Sequence, residues 1–226
     1  MNLNAKELNI LKKSIIFEGI EDDNIVNILD CLSSVYKKYE KDNYLYHTGD
    51  KIESLGLVLS GSVTIERYDL LGNRKILASI HPGDIFGESY ACVNKEPLMV
   101  NIVAAENCEI LFMNVSRVLT LCSSSCEFHN KLVSNLLNIL ARKNLNFTKK
   151  IEILTQKTTR EKIMLYLEYE ASKAGSTEFS IPFNRQQLAD FLSVDRSALS
   201  SELSKMQKNG LIEFQKNKVP PSECKA

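Results

Sequence analysis

Apolar side chains along this chain fall into three textures. Leu8, Leu11 and Ile15, then Ile25, Ile28, Leu29 and Leu32, recur at three- and four-residue spacing, which predicts two amphipathic helices before about residue 35. From Tyr39 to about Val115, short runs rich in β-branched and aromatic residues alternate with the turn signals "HTGD", "LSGS", "LLGN" and "HPGD". That rhythm predicts an antiparallel sandwich or barrel, and "SVTIERYDLLGNRKILASI" reads as a hairpin with Gly72-Asn73 at its tip.

The third texture is helical. Residues 127–154 contain neither Gly nor Pro, and Val133, Leu137, Leu140, Asn144, Phe147, Ile151 and Leu154 form a heptad seam. A helix over this span runs about 40 Å, too long to pack along its whole length on one small barrel. Leu132, Leu136 and Ile139 supply a second apolar stripe. One stripe therefore suits the barrel and the other a twin subunit, and Asn144 is a register-fixing break in the seam. The expected organisation is a strand-rich segment with N-terminal helices at 1–126, a dimerisation helix at 127–154 and a third segment at 155–226.

Within that third segment, "TTREKIMLYLEYEASKAG" is an amphipathic helix stopped by Gly175. Asn184 then precedes "RQQLADFL" with Gln187 three residues on, a capping-box start. "SVD" makes a tight turn, and Asp195 stands as the N-cap of a second helix reaching about Lys208 and closed by Gly210. This is helix-turn-helix spacing. On a wheel of 100° per residue, Leu199, Leu203 and Met206 cluster on one side. Ser197, Ser200, Ser201, Ser204 and Lys208 occupy the other. Solvated helix faces are ordinarily filled with Glu, Lys and Gln. A face of short hydroxyls without an acid is instead shaped to approach phosphates and base edges in a major groove. Arg196 adds a cationic fork at the helix start, and Arg185 and Gln186 open the preceding helix. "GLIEF" after the second helix reads as the first strand of a wing, and Pro220-Pro221 would cut a second wing strand short.

Composition changes this picture little. The 226 residues carry 28 basic and 28 acidic side chains, so any attraction to nucleic acid must be local. No apolar run is long enough for a signal or membrane anchor, which places the protein in the cytosol. Six cysteines without a C-x-x-C pair read there as free thiols. Cys122, Cys126 and His129 are the one tight group, three soft ligands without a fourth, so no metal site is expected. No Ser/His/Asp grouping or carboxylate pair suggests an enzyme.

"GLVLSGSVTI", "HPGDIFGE" and "RQQLADFLSVDRSALSSELSKMQKNGLI", in this order, resemble the family of the cyclic-AMP receptor protein and the fumarate–nitrate reduction regulator. The resemblance implies an α+β chain. An N-terminal β-roll, a jelly roll like those that bind cyclic nucleotides, is followed by a long dimerisation helix and a C-terminal winged helix-turn-helix. It also implies a bacterial transcription regulator that binds a two-fold DNA operator as a homodimer, with RNA polymerase as a further partner. The effector pocket would comprise Gly87, Glu88, Leu98, Met99 and Asn101, with Phe147 and Thr148 nearest the ligand and the seam.

Three departures modify those expectations. Cyclic-nucleotide-binding relatives grip the cyclic phosphate with an Arg-Ser pair, and the corresponding positions here are Leu98 and Met99. An apolar pair cannot neutralise a phosphate, and Lys95 is the sole nearby cation, so cyclic AMP is not the expected effector. Redox-sensing relatives carry an N-terminal cysteine set, of which only Cys31 is present, so no iron–sulfur cluster is expected; nor is haem at His47 or His81. Many relatives read guanine with an Arg where this chain has Ser201, which cannot make the bidentate contact. The alternative class is an effector-binding roll whose helical tail docks on a protein, but such a tail would show apolar anchors where the serines stand.

Overall fold

The computed structural model describes residues 4–93, 96–119, 127–213 and 218–219. It divides into two compact units, Met1–Arg142 and Lys143–Ala226.

In the first unit, α1 (Ala5–Lys13) begins at Asn4, whose side chain and that of Glu7 cap each other's backbone N–H groups. A 3-10 turn at Ile15–Phe17 leads to α2 (Asp22–Cys31). Leu11, Ile25, Ile28, Leu29 and Leu32 are buried as their spacing predicts. Ile15 is not: it is 43% exposed, because α1 ends at Lys13 and the tight turn carries Ile16 and Phe17 inward instead.

Eight strands follow: β1 (Val35–Tyr39), β2 (Tyr44–Tyr46), β3 (Ser54–Ser60), β4 (Val63–Tyr68), β5 (Arg74–Ile80), β6 (Ile85–Phe86), β7 (Asn101–Ala104) and β8 (Cys108–Asn114). They form two four-stranded antiparallel sheets, ordered β1-β8-β3-β6 and β2-β7-β4-β5. The short helices α3 (Glu88–Cys92) and α4 (Val115–Leu119) flank β7 and β8 in the chain. The central strands β3 and β8 of the first sheet are buried on both faces, which explains their near-continuous apolar runs, whereas the edge strand β1 is largely exposed. Leu55, Leu57, Leu59, Leu111 and Met113 face a core shared with the helices. Val58, Ile110 and Phe112 face the roll interior with Leu45, Ile52, Phe86, Leu98 and Ile102. Gly56 lies beneath the Phe86 ring, where a Cβ would stand 2.2 Å from the ring carbon Cζ.

In the second sheet, the β4–β5 hairpin turns at Asp69, whose carboxylate accepts the backbone N–H of Leu71 and of Asn73. Its base is strapped by Glu66, only 1% exposed, whose carboxylate accepts from Thr64 Oγ1 and Arg74 Nη2, both at 2.5 Å.

Helix α5 (Glu127–Leu154) is unbroken for 28 residues. Leu132, Leu136 and Ile139 pack into the helical core of the first unit. Asn135, buried among them, donates from Nδ2 to the carbonyls of Ile16 (3.1 Å) and Glu18 (2.8 Å). The boundary between the two compact units falls inside this helix, after Arg142, and its two ends enter different cores: Ile139 the first and Ile153 the second.

The second unit continues with α6 (Thr159–Ala174), opened by a Thr158–Glu161 capping box and ended by Gly175 in the left-handed region. Then come β9 (Phe179–Ser180), α7 (Arg185–Leu192), α8 (Arg196–Lys208) and β10 (Lys218–Val219), which pairs antiparallel with β9. The expected wing strand at "GLIEF" does not form over residues 210–213; Ile212 drops into the core, and β10 takes β9 as its ladder partner. Phe214 and Pro220-Pro221 lie outside the described residues.

Replacing Asn135 by Ala removes two hydrogen bonds and strands the buried Ile16 carbonyl. It should lower stability by about 1–3 kcal/mol, read as a reduced denaturant midpoint of the sensor transition.

Candidate nucleic-acid interface

Helix α7 is set by reciprocal caps between Asn184 and Gln187, both at 2.9 Å. Leu188, Ala189 and Leu192 are buried, and Ala189 is small enough to let α8 cross closely. The turn uses Ser193 with φ +52, and the N–H of Val194 closes on the Ala189 carbonyl at 3.0 Å. Lys162 Nζ caps the α7 end by donating to the Leu192 carbonyl at 3.3 Å. Asp195 occupies the N-cap position of α8 with extended backbone, but contrary to expectation its side chain makes no cap hydrogen bond. The first N–H groups of α8 thus receive no cap bond from it, and such groups accept anions readily.

Leu199, Leu203 and Met206 are buried, and Ser197, Ser201, Ser204 and Lys208 are exposed with Ser200 half-buried, as the wheel requires. The Ser204 hydroxyl donates to the Ser200 carbonyl at 2.9 Å, so it presents only acceptor lone pairs outward. Glu202 lies off this face, half-buried and 3.8 Å from Lys205 Nζ. Arg196 is fully available at the α8 start, while Arg185 is half-buried. Gln186 is tied to Asp190 at 2.9 Å, which puts an unforeseen acid on the α7 surface. Charge is unevenly divided: residues 143–226 carry 14 basic against 10 acidic side chains, and residues 1–142 carry 14 against 18.

Behind this surface, Tyr166, Phe183 and Phe191 form an aromatic group with ring centroids 5.1–6.1 Å apart. The Tyr166 hydroxyl is buried with no hydrogen-bond partner among the described residues, and burial raises its pKa far above the ordinary phenol value.

In the roll, Gly87 adopts φ +75 ahead of α3, and a Cβ there would lie 2.9 Å from Ile52 Cδ1. Glu88 is buried and accepts from Ser89 Oγ at 3.1 Å. Leu98 and Met99 do not act as a pair: Leu98 joins the roll core, whereas Met99 is 60% exposed. Their opposed directions follow from the alternation of an extended chain. Asn101 Oδ1 accepts from the N–H of Thr48 (2.8 Å) and from its hydroxyl (3.2 Å). The interior is lined by aromatic edges, with Tyr39, Tyr46 and Phe86 at 5.9–6.4 Å around Phe112. Burial pushes Tyr46 up to about 12, so this lining is uncharged.

Phe147 and Thr148 belong to the second unit and are exposed; the Thr148 hydroxyl donates to the Asn144 carbonyl at 3.1 Å. Along the seam, Val133, Leu140 and Leu154 are half-buried, while Leu137, Asn144, Phe147 and Ile151 are exposed. His129, read from sequence as a soft ligand, is buried with Nε2 3.1 Å from the Arg117 carbonyl; Cys122, Cys126 and Lys95 lie outside the described residues. Of the described cysteines, Cys108 is buried, Cys92 intermediate and Cys31 exposed. No helix among the described residues is long and apolar enough to cross a membrane.

A β-roll of this topology followed by this helix-turn-helix defines a class of two-domain transcription regulators. Comparison with known proteins agrees: a cyclic nucleotide-binding domain matches residues 36–125 and a Crp-like helix-turn-helix domain residues 161–219. The chain is 24% identical over 204 residues to the cyclic AMP receptor protein of Thermus thermophilus, covering 89% of both chains. It is 22% identical over 200 residues to the transcriptional activator protein FnrA of Stutzerimonas stutzeri, covering 84% of this chain and 79% of that one. The Thermus thermophilus catabolite activator protein superposes with a TM-score of 0.55 at 22% identity, covering 92% of this chain and 93% of that one. The c-di-GMP-responsive regulator CLP of Xanthomonas campestris gives 0.57 at 20% identity, covering 90% and 100%. The protein is thus a DNA-binding transcription regulator of the cyclic-AMP receptor and fumarate–nitrate reduction type.

Tyr166→Phe should leave unfolding free energy within about 0.5 kcal/mol of the original or raise it, since the lost hydroxyl has no partner to strand. Tyr166→Ala should cost about 3–5 kcal/mol by opening the aromatic group; denaturant titration compares the two.

Proposed function

We propose that the chain works as a homodimer in the cytoplasm, whose two α8 helices enter successive major grooves of an operator with inverted half-sites roughly 34 Å apart. The observation that carries this reading is the exposed, acid-free face of Ser197, Ser200, Ser201, Ser204 and Lys208 beside Arg196. Its unit holds the basic excess of the chain, and its exposed face offers no large apolar anchor for docking on a protein. Dimerisation is favoured by Leu137, Phe147 and Ile151, each about three-fifths exposed in one chain. Seam residues left in water at heptad spacing are buried by a second copy of the same helix.

Gating enters at the roll, around Gly87, Glu88, Leu98 and Asn101, and the signal is not cyclic AMP. With Leu98 in the core and Met99 in solvent, neither position supplies the cationic fork that a cyclic phosphate would need. The aromatic lining around Phe112, with Tyr46 neutral, suits an uncharged or aromatic signal. RNA polymerase is the downstream partner at the promoter.

Selection of genomic DNA fragments by the purified protein, with and without cell extract, should enrich a two-fold symmetric sequence. Failure to enrich any duplex at physiological salt would remove the reading. On the selected operator, Arg196→Ala should weaken binding by about 1–3 kcal/mol with unchanged thermal unfolding. Phe147→Lys puts two cations at the seam, and sedimentation velocity should show a shift from dimer to monomer.

A further inference from the structure

The last turns of α5 sit within the DNA-binding unit, and residues 144–152 are all exposed. Three of these exposed side chains nevertheless reach the helices beside them. Glu152 accepts a hydrogen bond from the Tyr169 hydroxyl of α6. Lys149 Nζ stands 5.2 Å from the centroid of the Tyr169 ring, and Lys150 Nζ stands 5.2 Å from that of Phe191 on α7. Each is within the range of a cation–π attraction. Next to Glu152, Ile153 enters the core that also holds Ile163, Leu188 and Leu199, so α5 touches the support of α8 directly.

Tyr169 is an odd residue for its place. The buried positions of α6 are Ile163, Tyr166 and Leu167, which already fill the core side. Tyr169 is half-buried at the margin, with one end on a carboxylate and its face beneath an ammonium, both from α5. Glu152 raises its phenol above the ordinary value, the direction expected when the neutral O–H is the donor. The connection from α5 to α6 is otherwise short. Thr155 and Gln156 bond back to Glu152 and Ile151, and Thr158 starts the capping box of α6. Backbone alone would let the two helices swing about that joint.

Neighbouring residues here serve opposite sides. Ile151 belongs to the seam offered to a second copy, and Glu152 to the contact with α6. We infer that Tyr169, held by Glu152 and Lys149, is a positioning residue that fixes the angle between the dimer seam of α5 and the α7–α8 pair. It thereby sets the half-site spacing that the dimer accepts. The inference rests on the dimeric operator reading above. It differs from a purely structural role, since a stabilising contact would alter unfolding and affinity for all operators alike, whereas an angular restraint alters the dependence on spacing.

The test uses the full-length protein and duplexes carrying two inverted copies of the selected half-site, with spacers changed by about 1 or 2 base pairs either way. The unaltered protein should prefer one spacer by about tenfold or more over its neighbours. Tyr169→Phe, which keeps the ring and loses the hydroxyl, should reduce that preference to about threefold or less, with unchanged unfolding temperature and sedimentation. Glu152→Ala should do the same, and Glu152→Gln, which keeps an acceptor oxygen, should restore a sharp profile. A spacing profile in Tyr169→Phe as sharp as in the unaltered protein removes the clamp and leaves the operator reading standing. Equal broadening by Glu152→Gln and Glu152→Ala removes it too, since the hydrogen bond would then be irrelevant. An unaltered protein indifferent to spacing removes both the clamp and the dimeric operator.

Discussion

Helix α5 carries two apolar stripes, and within one chain only one of them is fully covered. Leu132, Leu136 and Ile139 are buried in the sensor core, with Asn135 hydrogen-bonding the backbone of the N-terminal segment between them. Leu137, Phe147 and Ile151 remain in water. Val133 and Leu140, one position on from the buried stripe, still touch the same core at its margin, whereas Leu137, Phe147 and Ile151 do not. Those three are the side chains left open to the second helix proposed above.

The same constraint explains why the helix belongs to both units. Its first part is inseparable from the roll, and its last turns share a core with α6, α7 and α8 through Ile153. Between these anchors lies a stretch from Asn144 to Glu152 that neither core covers. At its far end Glu152 and Lys149 reach Tyr169 of α6.

The exposed face of α8 obeys a simpler rule. It carries short hydroxyls, and Glu202, off that face, lies 3.8 Å from Lys205. Not all of these hydroxyls are equivalent: Ser204 directs its proton to the Ser200 carbonyl and offers an acceptor outward.

Periodicity and caps were legible because they are local. The Asn184–Gln187 cap, the Gly175 stop, the hairpin with Gly72-Asn73 near its tip and the hydroxyl face of α8 depend on residues within a turn or two of each other. Contacts between distant segments were not. Leu98 and Met99 looked equivalent as neighbours, yet only the packed roll sends one inward and the other out. "GLIEF" has strand-like residues, but pairing requires a free edge, and β10 meets β9, on the far side of the helix pair in sequence. Glu152 reads as an ordinary solvated acid until α6 brings Tyr169 to it. By itself the sequence determined the long helices, the β4–β5 hairpin and which side chains α8 exposes, since each follows from spacing along one helix or strand. Only the tertiary structure decided where α5 passes from one unit to the next and which side chains hold it there. Those depend on contacts between segments whose separation along the chain carries no information about their distance in space.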